Sequence, residues 1–165
     1  RKGLSLEEIG QLLWAGQGIT EKRGSSNFRA APSAGALYPL ELYALTKDGL
    51  YHYLPERHKL DNISDKDLRE DLADAALGQG SVASAGLDIV ICAVYERVTS
   101  KYGQRGVQYA HIEAGHAAQN VHLQAAALGL GSVPIGAFSD TAVKKCLSLP
   151  AHCEPLYIIP IGYSE

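Results

Sequence analysis

The sequence contains no methionine, not even an initiator, as expected of a chain whose start has been trimmed or excised. It has only three cysteines, Cys92, Cys146 and Cys153, an odd number with no CxxC pair, which argues against a disulfide framework or a zinc knuckle. Cys92 lies in an apolar strand pattern and reads as a small core residue. No apolar run approaches the roughly 18 residues needed to span a bilayer. The start, Arg1 to Leu6, lacks the apolar stretch of a signal peptide and passes straight into a helix pattern, so a cytoplasmic protein without a membrane partner is expected. Charge of one sign is also scarce. The formal net charge is −3, which leaves no basic field for nucleic acid or acidic lipid. What is present is ordinary globular composition, 46% hydrophobic and 20% charged, in 165 residues, enough for one domain spanning 1–165 with its own core.

Ser5 and Glu8 form a capping box, and Leu6, Ile9 and Leu13 recur at helical spacing up to Gly16. Residues 17–33 are polar and too long for a simple connector, so they are either mobile or functional. Leu40–Lys47, a turn at Asp48-Gly49 and Leu50–Leu54 read as a β-hairpin. Ser64 with Asp67 is expected to cap a second helix through about Leu77, ended by Gly78. The continuous apolar run Leu87–Tyr95 reads as a central strand. Val107–Leu128 predicts a long helix. Ala110, Ala114, Ala117, Val121, Ala125 and Leu128 line one face, and His116, Gln119, Leu123 and Ala127 a second, so burial on both sides is expected. Ser132–Phe138 is short and extended, Asp140–Leu147 a short helix, and Leu156–Ile161 the last strand. The class is α+β.

Several chemistries fail on spacing. His111 and His116 are five residues apart, about 140° around a helix, where a zinc helix needs i and i+4. No metal is therefore expected. Gly129-Leu130-Gly131 begins a dinucleotide fingerprint, but Pro134 stands where its third glycine should, and a helix rather than a strand precedes it. There is no Walker loop and no GxSxG elbow.

Two small-residue segments remain that could lie against a flat, polar-edged ligand. In Ala31–Pro39 (APSAGALYP), proline fixes the backbone, small side chains allow close approach, and Ser33 offers a hydroxyl. In Val133–Phe138 (VPIGAF), Pro134 has no N–H, while Gly136 and Ala137 leave theirs accessible. Either segment alone reads more readily as a tight turn. Their weight comes from occurring together with Ser100–Gly106 (SKYGQRG), itself equally well read as a solvated loop capping the long helix.

In the order of these segments the chain resembles the nitroreductase-fold flavoproteins, specifically their SagB-type dehydrogenase branch. The resembling stretches are Leu12–Thr20 (LLWAGQGIT), Ala31–Glu41 (APSAGALYPLE), Lys101–Gly106 (KYGQRG), Glu113–Asn120 (EAGHAAQN) and Gly129–Phe138 (GLGSVPIGAF). The resemblance implies an α+β nitroreductase-like fold, a mostly antiparallel mixed sheet flanked by helices, in an intertwined homodimer with FMN at the subunit interface. It implies flavin contacts from Pro32, Ser33, Ala34, Gly35 and Leu37, and from Pro134, Ile135, Gly136 and Ala137, whose backbone N–H groups at 136 and 137 would face the flavin N5 and O4 edge. Arg29, His116 and Gln119 are further lining candidates. Lys101-Tyr102 matches the pair associated with proton removal in azoline-oxidising members. The family's basic N-terminal element should sit just before this chain starts, and the basic residues after its last strand are missing. The implied activity is hydride transfer to or from flavin N5. It could run as NAD(P)H-driven reduction of quinone or nitro acceptors, or as dehydrogenation of an azoline-like ring in a small molecule or modified peptide. A flavin-binding or interaction protein without turnover, and a flavin-consuming enzyme of the same fold, are the alternatives.

Overall fold

The computed structural model describes residues 3–24 and 26–163, without the side chains of Arg23 and Ser26. In chain order the elements are α1 (Leu6–Gln17), β1 (Ile19–Arg23), β2 (Ser26–Arg29), β3 (Leu40–Thr46), β4 (Gly49–Leu54), β5 (Lys59–Ser64), α2 (Arg69–Ala75) and α3 (Gly80–Ala83). They continue with β6 (Leu87–Ala93), α4 (Glu96–Tyr102), α5 (Arg105–Ala127), β7 (Leu130–Ser132), α6 (Asp140–Cys146) and β8 (Glu154–Tyr163). Short 3-10 turns occupy Ala34–Ala36 and Pro55–Arg57. One sheet runs β5-β4-β3-β6-β8-β7, with every pairing antiparallel among the described residues, and β1 and β2 form a separate hairpin. The α+β expectation holds, as does the mostly antiparallel sheet flanked by helices.

Side-chain alternation divides the core. Leu42, Ala44, Leu87, Ile89 and Ile91 pack with α1 and α5, whereas Tyr43, Leu45, Val90 and Cys92 pack with α2, α3 and α6. Strand β6 is buried at every position because helices cover both its faces, which is why its sequence shows an apolar run instead of alternation. One polar side chain breaks that run. Asp88 is fully buried and neither of its carboxylate oxygens finds a hydrogen bond, so burial pushes its acidity constant well above the carboxylate range.

The capping box at α1 is present: Glu8 N–H donates to Ser5 Oγ and Ser5 N–H to Glu8 Oε2. Other expectations are corrected. Residues 17–33 contain the β1–β2 hairpin, which has no strong apolar alternation to betray it. The turn between β3 and β4 is Lys47-Asp48, with Gly49 already paired to Thr46. At φ 146° Gly49 needs its missing side chain, since a methyl there would collide with the Ser64 carbonyl oxygen. Ser64 caps no helix. It ends β5, paired with Leu50, and helix α2 starts only at Arg69, whose N–H donates to Asp67 Oδ1. The stretch 100–106 is no loop either: Lys101 and Tyr102 close α4, and Arg105 opens α5.

Helix α5 is buried on one face alone. Ala110, Ala114, Ala117, Ala118, Val121 and Ala125 lie in the core, while Ile112, His116, Gln119, Leu123 and Ala127 are exposed in the single chain. Its start is held tightly against α4. A methyl on Gly106 would lie 2.8 Å from the Val98 carbonyl carbon and 2.9 Å from the Thr99 nitrogen, both backbone atoms that cannot swing away. Gly106→Ala is therefore expected to cost about 2 kcal/mol in urea unfolding, the scale of an overpacked core site. An unchanged midpoint would show that α4 moves freely against α5.

Candidate functional site

The loop between β2 and β3 is held in an unusual shape. Gly35, Ala36 and Tyr38 have φ of 62°, 53° and 48°, the left-handed region in which only glycine is unstrained. Three bonds hold it there. Tyr38 N–H donates to Ser33 Oγ at 2.9 Å, Arg29 N–H donates to Tyr38 Oη at 3.1 Å, and Arg97 Nη1 donates to the Tyr38 carbonyl at 3.1 Å. Backbone strain of this kind gathers where a site over-determines its geometry.

Below the loop lies a carboxyl that the sequence reading left without a role. Glu113 sits inside the alanine stripe of α5, 2% exposed, with Oε1 unbonded. Ser33 and Arg29 nearby favour its charged form, but burial dominates and pushes its acidity constant up to about 7. Ser33 is half-buried and its Oγ accepts the Tyr38 N–H, so the hydroxyl braces the loop from within. Arg29 also points inward. Its Nη1 donates to Gln17 Oε1 at 2.8 Å and its guanidinium lies 4.6 Å from the Tyr38 ring centre. The signal for Glu113 was its spacing with Ala110, Ala114 and Ala117, which puts an acid on a buried face.

The structure brings Lys101 and Tyr102 to this loop. A methyl on Gly35 would lie 2.8 Å from Tyr102 Oη and 3.1 Å from Lys101 Nζ, so a larger residue would displace both tips and be strained at φ 62° as well. Lys101 is exposed, with its ammonium 5.4 Å from the Tyr102 ring centre, and Arg105 lies over Tyr109, 5.6 Å away. Pro32 and Gly35 are exposed, and Ala34 and Leu37 half-buried.

The second segment is anchored at its middle. Ile135 is buried and exchanges both backbone bonds with Ile158, at 2.8 and 3.0 Å, so it fastens the segment and presents no free donor. Pro134, Gly136 and Ala137 are exposed. The N–H groups of Gly136 and Ala137 bond to nothing among the described residues, while Gln79 Nε2 holds the Ala137 carbonyl at 3.0 Å. His116 and Gln119 are exposed on α5 and line neither the cleft beside the loop nor the recess beside Trp14. On the far side of the loop, Glu41 at the start of β3 binds Arg97 and, at 2.6 Å, His52.

A sequence model of the nitroreductase family matches residues 1–163, and the chain belongs to that family of oxidoreductases. It is 44% identical to the nitroreductase-type protein MJ1384 of Methanocaldococcus jannaschii, over 96% of this chain and 81% of that protein. It is 28% identical to the microcin B17-processing protein McbC of Escherichia coli, over 73% of this chain and 48% of McbC. Among solved structures, a protein described as a nitroreductase from Ralstonia eutropha superposes with a TM-score of 0.87 at 30% identity, covering all of this chain and 76% of that one. The E. coli microcin synthetase McbBCD complex gives 0.86 at 25% identity, covering 100% of this chain and 66% of the matched one. Among the described residues no helix is long and apolar enough to cross a membrane.

Glu113 provides a pH signature. Its proton is held more tightly in the folded chain than in the unfolded one, so its stabilising contribution is complete below about pH 4 and lost as pH rises through about 7. Glu113→Gln cannot ionise. Relative to the parent, its unfolding free energy is expected to rise by up to about 3 kcal/mol between pH 4 and 8. Asp88 slopes the same way in both proteins, so the difference isolates Glu113. Parallel profiles in urea unfolding would refute the assignment.

Proposed function

We propose that this protein is an FMN-dependent oxidoreductase in which Lys101 and Tyr102 handle the proton that accompanies electron transfer. The observation that carries this reading is the placement of both side chains against Gly35, in the strained loop that the resemblance assigns to the flavin. The residues suit such a cofactor. Pro32, Ala34, Gly35 and Leu37 form a cradle that a side chain at 35 would fill, and the unpartnered N–H groups of Gly136 and Ala137 can donate to a polar ring edge. FMN, when bound, supplies hydride acceptance and donation, with NAD(P)H as the reductant for quinone or nitro acceptors. Tyr102 Oη and Lys101 Nζ, side by side at the loop, give or take a proton at the substrate. Lys101 is exposed in the single chain, and a bound ligand or a second subunit would cover it. The same pair favours a second direction, dehydrogenation of an azoline-like ring, and McbC is by name a processing protein for microcin B17.

The assembly proposed is a homodimer in the cytoplasm, joined through the exposed face of α5. Ile112 and Leu123 are 49% and 59% exposed there, and Trp14 of α1 lines a shallow recess beside Leu123. Such a junction would also bring His116 and Gln119 to a ligand.

Two measurements test this. FMN is expected to copurify, or to be taken up on addition. Lys101→Ala and Tyr102→Phe should keep the flavin while turnover falls about 10²–10⁴-fold, the range for a lost general acid or base. Gly35→Ala should lose the flavin. Near-parental turnover in the first two variants would remove them from the mechanism. For the dimer, Leu123→Glu is expected to give a folded monomer by light scattering, and an unchanged mass would place the junction elsewhere.

A further inference from the structure

A cleft of about 760 Å³ opens beside the loop, between Leu37-Tyr38, Arg97 of α4 and the 3-10 turn Pro55–Arg57. Its size is that of a small-molecule site. Its charges are unbalanced in a chain whose net charge is negative: Arg29, Arg57 and Arg97 face Glu41 and Glu56, with His52 between. Both carboxylates are already engaged, Glu41 by Arg97 and His52, Glu56 by Asn27 Nδ2 at 2.8 Å. The arginines are not used up. Arg57 is exposed and bonds to nothing among the described residues, and Arg29 pairs with no carboxylate although it is half-buried. A guanidinium has five donors, and two of these three spend at most one on a protein side chain. Between the charges the walls are flat and apolar, made by Tyr53, Leu54 and Pro55 opposite Leu37.

We propose that this cleft binds the anionic group, a carboxylate or a phosphate, of a flat organic co-substrate whose reacting end lies at the neighbouring loop. Guanidinium forks match the planar, two-oxygen edge of either group, and the ring faces take the apolar body. An excess of fixed positive charge draws such a ligand in and excludes a cationic one. The inference rests on the redox reading of the same loop, because Leu37 and Arg29 belong to both.

The test uses the protein as purified, with its flavin content read by absorbance on every preparation. Binding of 4-nitrobenzoate and of uncharged 4-nitrobenzyl alcohol is measured by calorimetry at low and high salt, and turnover is measured with NADPH and NADH. The parent is expected to bind the anion about tenfold more tightly than the alcohol, with the advantage shrinking in salt. Arg57→Glu, at an exposed position outside the flavin cradle, should abolish that preference and leave the alcohol and the flavin content unchanged. Arg57→Lys should restore most of it. A preference for NADPH over NADH that vanishes in Arg57→Glu would identify the group as a phosphate, whereas one confined to 4-nitrobenzoate would identify a carboxylate. Equal binding of anion and alcohol would overturn the inference while a flavin-loaded protein left the redox reading intact. Anion binding that disappears when FMN is added would assign the cleft to the cofactor's own phosphate, and would also overturn it. Anion binding that follows Arg57 in a protein unable to take up FMN would sustain the cleft and sink the flavin reading.

Discussion

One carboxyl within a stripe of alanines governs the site. Ala110, Ala114, Ala117 and Val121 let α5 lie close against α1 and the sheet, so close that Gly16 of α1 has Leu42 Cδ1 and Val121 Cγ2 within 3.0 and 3.2 Å of where its side chain would start. Packing that close leaves Glu113 nearly without solvent, and burial of a charge is costly unless it is paired. With its acidity constant at about 7, the carboxyl is protonated in mild acid and divided between its two forms at neutral pH, despite the attraction of Arg29. Half-protonated, it presents less than a full charge to the loop above it. The polar side chains beneath the loop are committed to bonds of their own, Arg29 to Gln17 and Ser33 to Tyr38.

That commitment offsets the strain. Two non-glycine residues in the left-handed region cost on the order of 1–3 kcal/mol each, and they sit between Ser33, Arg29 and Arg97, whose bonds all converge on Tyr38. Tyr38 is the common member: its N–H, its carbonyl, its hydroxyl and its ring each have a partner. A loop fixed at four points of one residue holds its shape before any ligand arrives, which reduces the ordering cost of binding.

The elements with strong periodic or capping signals were legible from the residues. The Ser5–Glu8 box, the apolar run of β6 and the alanine stripe of α5 all lie where spacing put them. The elements missed share a weak local signal. Strand β5, Lys59–Ser64, is an edge strand with mostly exposed side chains, and β1–β2 is a short hairpin off the main sheet. Ser64 and Asp67 looked like a cap because their chemistry suits one, yet β-pairing with Leu50 claimed Ser64 first. In the site, the nearness of Lys101-Tyr102 to Gly35 has no local signature, since it depends on how α4 packs on α5 at Gly106. The anchoring of Ile135 follows equally from a tertiary partner, Ile158, that no local pattern names.

The loop also touches two features of α4. Gly35 meets Lys101 and Tyr102 at the helix end, while Leu37 and Tyr38 wall the cleft that Arg97, one turn earlier on the same helix, also lines. Arg97 is tied to Glu41 and the Tyr38 carbonyl, so its charge is spent on the cleft side and on the loop's own geometry. The strained backbone from Gly35 to Tyr38 therefore meets α4 twice: Gly35 lies against Lys101 and Tyr102, and the Tyr38 carbonyl takes the Arg97 guanidinium.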